Sequence, residues 1–526
     1  MKKILTLAFL LLLSLVAYCQ VPAFRWAKPG DVNITTAAMT TSASGDLYAT
    51  GTFIGTVDFN PGTGMDTMTD HGFGDIFISK RDSSGNLLWV KTIGGTSYDE
   101  GSDITTDASG NIYVAGFFST DSVDFDPGPA IHYMSATENS YVLKLDPNGN
   151  FIWVRQVVGI AENYATSIKL DLQGNILISG NFQATADFDP GSGVDTLTSP
   201  LNDMYIWKLD NNGNYIWARQ FSGTSVNTRC FSIGCDNAGN VYMSGILLGT
   251  EDFDPSPTFS TFLTNTGTAA SFIVSLNSAG AFRWARKFDN TDIILSNGSL
   301  QTDAAGNCYL AGSFSGIVDF DPNAGIQSLT ASAGNNHFLL QLSSNADFSW
   351  VKQIDDVKCI ALDELGNIYA LGSSLRKWSA AGNSQWTSNN HLGRSITVDR
   401  LGGVYEMGSF SGTVDVDPGP GIFNMVSAGT NTFVERLSSG TIASVADPLL
   451  GGDTFRVFPN PANNELHIYS KTAGELTIVD ALGRVVRTAS IQRLNMVMIN
   501  MADLQDGIYF LSGLNSGVHT NLIIRH

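Results

Sequence analysis

The sequence predicts an all-β chain, a ring of seven four-stranded units followed by a small Ig-like β-sandwich, and three observations carry that prediction. A tight-turn phrase, Asp107-Ala-Ser-Gly110-Asn111 leading into Ile112, Tyr113 and Val114, returns through most of the chain. A tryptophan with a base two residues later returns in step with it. The two ends of the repeat array are complementary, with a lone strand first and a unit short of one strand last.

The chain opens with Lys2 and Lys3, an apolar run from Ile4 to Val16, and Ala17-Tyr18-Cys19. A basic start, a short apolar middle and small residues before the cut mark a secretory signal peptide over residues 1–19. The run is too short to span a bilayer comfortably, and no later stretch is long and apolar enough to cross as a helix. A lipidated Cys19 ranks second, because Tyr18 stands where such a signal needs a small side chain.

The remaining composition suits an exported β protein. Glycine is abundant, at 54 of 526 residues, and charge is sparse at 15%, which fits short strands joined by turns and argues against disorder. The formal charge of −20 argues against a nucleic-acid partner and is compatible with cation binding. Cys230, Cys235, Cys308 and Cys359 are too few in a chain this long for a disulfide framework, so buried thiols are expected.

The turn glycines are Gly45, Gly110, Gly174, Gly239, Gly306, Gly366 and Gly402; the steps between them are 65, 64, 65, 67, 60 and 36 residues. A period this long, made of short strands, indicates a propeller or another β array. The tryptophans are Trp26, Trp89, Trp153, Trp217, Trp284, Trp350 and Trp386. In Trp153/Arg155 and Trp217/Arg219 the two side chains share a strand face, so a cation–π contact is open to them. The stronger expectation is a ring packed between units while the base reaches solvent.

The second copy displays a whole unit, with strands over 102–107, 112–118, 141–146 and 151–156. Asp107 and Asp146 open tight turns, and the glycine three residues on supplies the left-handed conformation. Four antiparallel strands in each of seven units make a seven-bladed β-propeller. Phe24 to Lys28 is the kind of strand that the last unit lacks, so pairing of the two ends would close the ring and remove two edges.

The phrase Trp-Val-Lys, Gly-Gly, Asp-x-x-Gly-Asn-Ile-Tyr-Val-Ala-Gly resembles the SBBP β-propeller repeat of secreted and surface bacterial proteins. The resemblance covers about residues 22–439. It implies the fold and leaves the activity open, because propellers host many functions.

Most units carry an added segment between their second and third strands that opens on an acidic signature. The copies are Asp58-Phe-Asn60, Asp124-Phe-Asp126, Asp187-Phe-Asp189, Asp252-Phe-Asp254, Asp319-Phe-Asp321 and Asp415-Val-Asp417, each followed by proline. The sixth unit passes directly from Gly372 to Leu375, so the segment is not needed to build a unit. Strand direction alternates, which places all the insertions on one rim and makes that rim the candidate binding face. His71, His132, His337 and His391 fall in loops on this side at unequal offsets, and no role is expected of them.

In Asp-x-Asp on an extended chain both carboxylates point the same way, and calcium takes oxygen ligands in number. Calcium at Asp58, Asp124, Asp126, Asp187, Asp189, Asp252, Asp254, Asp319, Asp321, Asp415 and Asp417 is one expectation. The other is that these side chains cap turn amides.

No phosphate loop, metalloprotease helix or nucleophile elbow occurs. The acids on the innermost strands are turn formers such as Asp107, Asp171 and Asp399. The expected function is binding or adhesion at the cell surface, with a glycan or protein ligand. A glycan-active hydrolase or lyase on the propeller and a structural surface component are the alternatives, and a carboxylate pair assembled from loops stays open.

The repeats stop near Ser439. The organisation read from the chain is a signal peptide over 1–19, a propeller over 20–440, a linker over 441–454 and a sandwich over 455–526. Pro459-Asn460-Pro461, the turn from Asp480 through Gly483 to Arg484, and Gly507-Ile508-Tyr509 carry a second resemblance, to the type A C-terminal sorting domain of type IX secretion. It implies passage through the periplasm, export across the outer membrane by the type IX machinery, and removal of the domain. The cargo is then released or attached to surface lipopolysaccharide.

Overall fold

A computed structural model of the chain describes residues 22–524 apart from short stretches, the longest of which is 439–454. The expected signal peptide and linker therefore lie outside the described residues. The chain divides into two compact units, one over 21–439 and one containing 440–526.

In the first unit the repeats form, among the described residues, six antiparallel four-stranded sheets and a seventh, third in chain order, whose four repeat strands are joined by three short ones. In the second sheet Asp99–Thr106, Ile112–Phe118, Asn139–Leu145 and Phe151–Gln156 lie side by side in chain order. The middle two strands are almost wholly buried on both faces, because each sheet is stacked between two others. Val114, Tyr141 and Leu143 pack against Tyr48, Ile76 and Ile78 of the preceding sheet. Tyr113, Ala115 and Val142 pack against Ile168, Ile176 and Ile178 of the following one. The two-residue period of a strand thus sends successive side chains to opposite neighbours, and both faces must be apolar.

The innermost strands touch in series: Ile34–Thr41, Asp99–Thr106, Asn163–Leu170, Arg229–Cys235, Ile294–Thr302, Cys359–Leu362 and Gly393–Val398. The last also touches the first, so the series is a closed cycle. Closure uses the N-terminal strand. Phe24–Pro29 pairs antiparallel with Asn424–Leu437, setting Trp26 opposite Arg436, Lys28 opposite Val434 and Pro29 opposite Phe433.

The turns explain why the phrase repeats. Asp107 Oδ1 accepts the amides of Ser109 and Asn111, and its Oδ2 accepts the Asn111 side chain and the Tyr113 hydroxyl. Gly110 has a φ of 82°, which a side-chain-bearing residue adopts only under strain. Asp236 and Asp363 make the same set of bonds.

The bases beside the tryptophans depart from the expectation of a solvent-directed side chain. The Arg155 and Arg219 guanidinium groups lie 5.4 and 5.3 Å from the Trp153 and Trp217 ring centres. Each also donates to a carbonyl of the next sheet's outer hairpin, Gly213 and Gly280 respectively. That hairpin ends in glycine, and a Cβ at Gly213 would stand 3.1 Å from Arg155. The bare turn lets the base reach carbonyls that would otherwise need water.

The second unit contains two antiparallel sheets. One is built from Phe455–Phe458, Glu465–Ser470 and Asn495–Asn500; the other from Val485–Ile491, Gly474–Val479, Gly507–Gly513 and Val518–Ile524. Leu466, Ile468 and Ile499 of the first meet Leu476, Ile478 and Leu511 of the second in one core. Cys230, Cys308 and Cys359 are buried free thiols, whereas Cys235 is only half-buried.

Candidate binding rim and axial channel

Each acidic insertion is fixed by the residue between its two acids. Phe125, Phe188, Phe253 and Phe320 are completely buried, and Phe59 and Val416 nearly so. Alternation along an extended segment explains this: when the flanking aspartates face outward, the middle side chain faces inward. Phe125 packs 4.9 Å from Tyr141 and joins the core shared with the preceding sheet. Phe188 does the same at the next junction, beside Tyr113 and Val142. The insertions are therefore plugs over the junctions between sheets.

The aspartates work on the backbone. Asp124 Oδ1 accepts the amides of Asp126 and His132, and Asp126 Oδ1 accepts that of Gly128. Asp187, Asp252, Asp319 and Asp415 repeat the double bond. Asp189, Asp254, Asp321 and Asp417 repeat the single one. Asp58 caps Asn60 and Asp66. The five Asp-x-Asp pairs thus share one local shape.

Beyond the caps the insertions differ in sequence but share a property that motif reading missed. The seventh residue after the first acid is Ile131, Val194, Phe259, Ile326 or Ile422, and each is between 67% and 78% exposed. Tyr133 and Phe262 add exposed aromatic surface nearby. A large apolar side chain in water at one repeated place is the informative exception to burial.

The innermost strands enclose an axial cavity of about 660 Å³. Its lining includes Thr35, Ser102, Thr166, Lys169, Arg229 and Arg394. Ala37, Ser102, Thr166, Phe231 and Arg394 are extra residues at β-bulges, all at the same place in their strands. Glu100 and Asp103 are acids of this lining. Asp103 accepts the Ser167 hydroxyl and the Ile168 amide of the neighbouring sheet, and Glu100 accepts the Tyr98 hydroxyl. Asp103 thereby ties two innermost strands together, a task that reading only the turn acids overlooked, whereas Glu100 bonds within its own segment.

Several acids are buried near the rim. Burial, then the neighbouring Asp203 charge, pushes the Glu251 carboxyl up to about 8. Burial pushes Asp99 up to about 6, against bonds from Gly95 and Ser119 amides that favour its charge. Among the histidines, His71 lies 2.6 Å from Asp75, and His337, expected in a loop, stands instead in the strand Asn336–Leu342 and donates from Nδ1 to the Asp355 carbonyl. His391, expected to be an idle loop residue, is instead buried and bonded to Glu406 and Ser388.

In the second unit Pro459, Asn460, Pro461 and Gly483 lie outside the described residues. Gly507 opens a strand, Tyr509 is buried, and Asp480 closes its turn by accepting the Arg484 amide and guanidinium. The SBBP β-propeller repeat family matches residues 88–125 and 216–245, and the secretion system C-terminal sorting domain family matches 456–524. The chain carries SBBP β-propeller repeats and a type IX sorting tail.

This propeller protein is similar to an uncharacterized WD repeat-containing protein of Acanthamoeba polyphaga mimivirus, 26% identical over 186 residues, which are 30% of this chain and 13% of that protein. It is also similar to regulatory protein FlaEY of Caulobacter vibrioides, 23% identical over 249 residues, or 46% of this chain and 24% of that one. The chain thus matches less than a quarter of the length of either relative. Among solved structures, BamB from Moraxella catarrhalis aligns over 79% of this chain and 100% of its own, at 12% identity and a TM-score of 0.34. A DUF4221 family member from Bacteroides vulgatus aligns over 79% and 97%, at 9% identity and a TM-score of 0.31. The sorting tail directs the SBBP propeller to the extracellular or cell-surface space and engages the type IX machinery. Among the described residues no helix is long and apolar enough to cross a membrane.

Proposed function

We propose that the propeller is an extracellular binding or adhesion module, and that the insertion rim is its contact surface. The observation that carries this reading is the exposed apolar residue repeated at one position of five insertions. Fixed caps behind a variable, exposed tip are the arrangement expected of a rim that contacts a glycan or protein surface. Asp103 of the axial lining is engaged in holding a neighbouring strand, which favours binding over hydrolysis. After export the propeller is released or attached to surface lipopolysaccharide, with residues 455–526 removed; the mass of the secreted form reads this directly.

The test is a combined variant carrying Ile131→Ser, Val194→Ser, Ile326→Ser and Ile422→Ser, compared with wild type on glycan and protein arrays. Loss of the wild-type signals at an unchanged unfolding temperature is expected, because exposed substitutions alter stability by only about 0.5 kcal/mol or less. Undiminished array binding by a folded variant would place the contact surface elsewhere.

A further inference from the structure

The seventh sheet departs from the second to fifth at one buried pair. In the second to fifth sheets the residue two places ahead of the strand glycine is Val114, Ile178, Met243 or Leu310. Its directly opposite partner is Leu143, Trp207, Val274 or Leu340. In the seventh sheet the same pair is Glu406 and Glu435, opposite one another and buried to 1% and 2% exposure. Two carboxylates side by side where four other sheets place apolar pairs carry a desolvation and repulsion penalty, which demands a partner of opposite charge.

His391 supplies part of the answer. It leaves the sixth sheet's last strand and reaches back under the seventh, with Nδ1 2.7 Å from Glu406 Oε2 and 4.0 Å from Glu435 Oε1. One ligand atom from each of the three residues lies within 4.8 Å of the others. The ring is held from its far side, Nε2 standing 3.0 Å from Ser388 Oγ, and its backbone amide donates to the Ser373 carbonyl. Space is kept as well: a Cβ at Gly393 would come within 3.1 Å of Glu406 and 2.7 Å of Leu371.

We propose that His391, Glu406 and Glu435 form a site for one divalent first-row transition cation, with zinc the favoured ion. An imidazole nitrogen with two carboxylates is a donor set that zinc accepts readily, whereas calcium takes oxygen donors. Ser388 is the outer partner that fixes the ring so that Nδ1 faces the acids. The ion would fasten the loop leaving the sixth sheet to the second and third strands of the seventh. The insertion at this junction is the seventh unit's own, and it carries Val416 where the others carry phenylalanine. The cation takes over a joint that an aromatic ring holds elsewhere.

The experiment uses the full chain, stripped with a chelator, dialysed against zinc and then against buffer, with bound metal counted by mass spectrometry. One zinc per chain and a raised unfolding temperature are expected, and cobalt in its place should give the visible absorption of a low-coordinate nitrogen–oxygen site. His391→Gln and Glu435→Gln should each lose the bound zinc and the thermal shift, while the rim variant Asp124→Asn keeps both. Glu435→Gln preserves volume, so it remains informative should His391→Gln fail to fold. A wild-type chain that retains no stoichiometric zinc would overturn the proposal and leave a proton-sharing hydrogen-bonded triad. Folded variants that still hold one zinc per chain would overturn it equally.

Discussion

The face carrying the Asp-x-x-Gly-Asn turns and the rim carrying the acidic insertions both depend on aspartate, but they commit it to different extents. On the turn face Asp107 uses both oxygens, on two amides, an asparagine and a tyrosine. The neighbourhood is then tied to the next sheet: Lys144 lies 4.9 Å over the Tyr113 ring and donates to the Asn211 carbonyl one turn further round. Lys208 pairs with Asp171 at 2.9 Å and reaches the Ser278 carbonyl. On the rim, Asp124 caps its own hairpin, and the chain beyond the cap is free to vary. One face joins sheets and tolerates little; the other holds short loops in shape and leaves their tips available.

The largest effect that sharpens this comparison belongs to the rim's buried anchor. Phe125→Ala should cost about 3–5 kcal/mol in denaturant unfolding of the propeller, as expected for a large side chain deleted from a core. A cost comparable to a surface change would mean that the insertion is not anchored. Next is Glu251, which occupies an inward position where other insertions have Val57, Val123 or Val318. Its carboxyl is raised from 4.5 to about 8 by burial and then by the Asp203 charge. The folded state therefore holds this proton more tightly than the unfolded chain. The associated stability is full below about pH 4.5 and is lost as the pH climbs towards about 8. Wild type should lose on the order of 3 kcal/mol over that interval, and Glu251→Gln should flatten the profile. A variant with the wild-type slope would assign it to Asp203 and Asp99.

Smaller still is the contrast between the two caps. Asp107→Ala should cost about 2 kcal/mol and Asp124→Ala about 1 kcal/mol, since the first strands more partners. Equal losses would break the distinction between the faces. The smallest effect concerns Asp124→Asn combined with Asp126→Asn. Asparagine oxygens can accept the same amide bonds, so capping alone predicts a change below about 0.5 kcal/mol and an unfolding temperature indifferent to calcium. A calcium-dependent rise in wild type that the double variant loses would give the rim carboxylates to the cation.

The sheet architecture was legible because its signals are local. Asp107, Gly110 and Asn111 specify a turn within five residues, and alternation does the rest. The pairing of Phe24–Pro29 with the last sheet was legible from complementarity of the ends. The anchoring role of Phe125 was also written in the sequence, since a residue between two outward acids must face inward. The bulges at Ser102 and Thr166 were not, because crowding of strands around the axis decides them. The Arg155 side chain was misread because its acceptor belongs to the next sheet. The association of His391 with Glu406 and Glu435 needed register and stacking that only the fold supplies, although an acid at an otherwise apolar strand position was a usable warning.

The closure by the N-terminal strand also has a cost in time. Asp31 and Thr432, which are hydrogen-bonded at the joint, stand 401 positions apart. At roughly 5–20 residues per second of synthesis, the first strand waits some tens of seconds for its partner to exist. Throughout that interval a naked strand edge is on offer, and contacts so distant in sequence form slowly. The competing product is an exchange in which the first strand of one molecule completes the last sheet of another, so crowded chains should yield swapped dimers before they yield aggregates of any other kind.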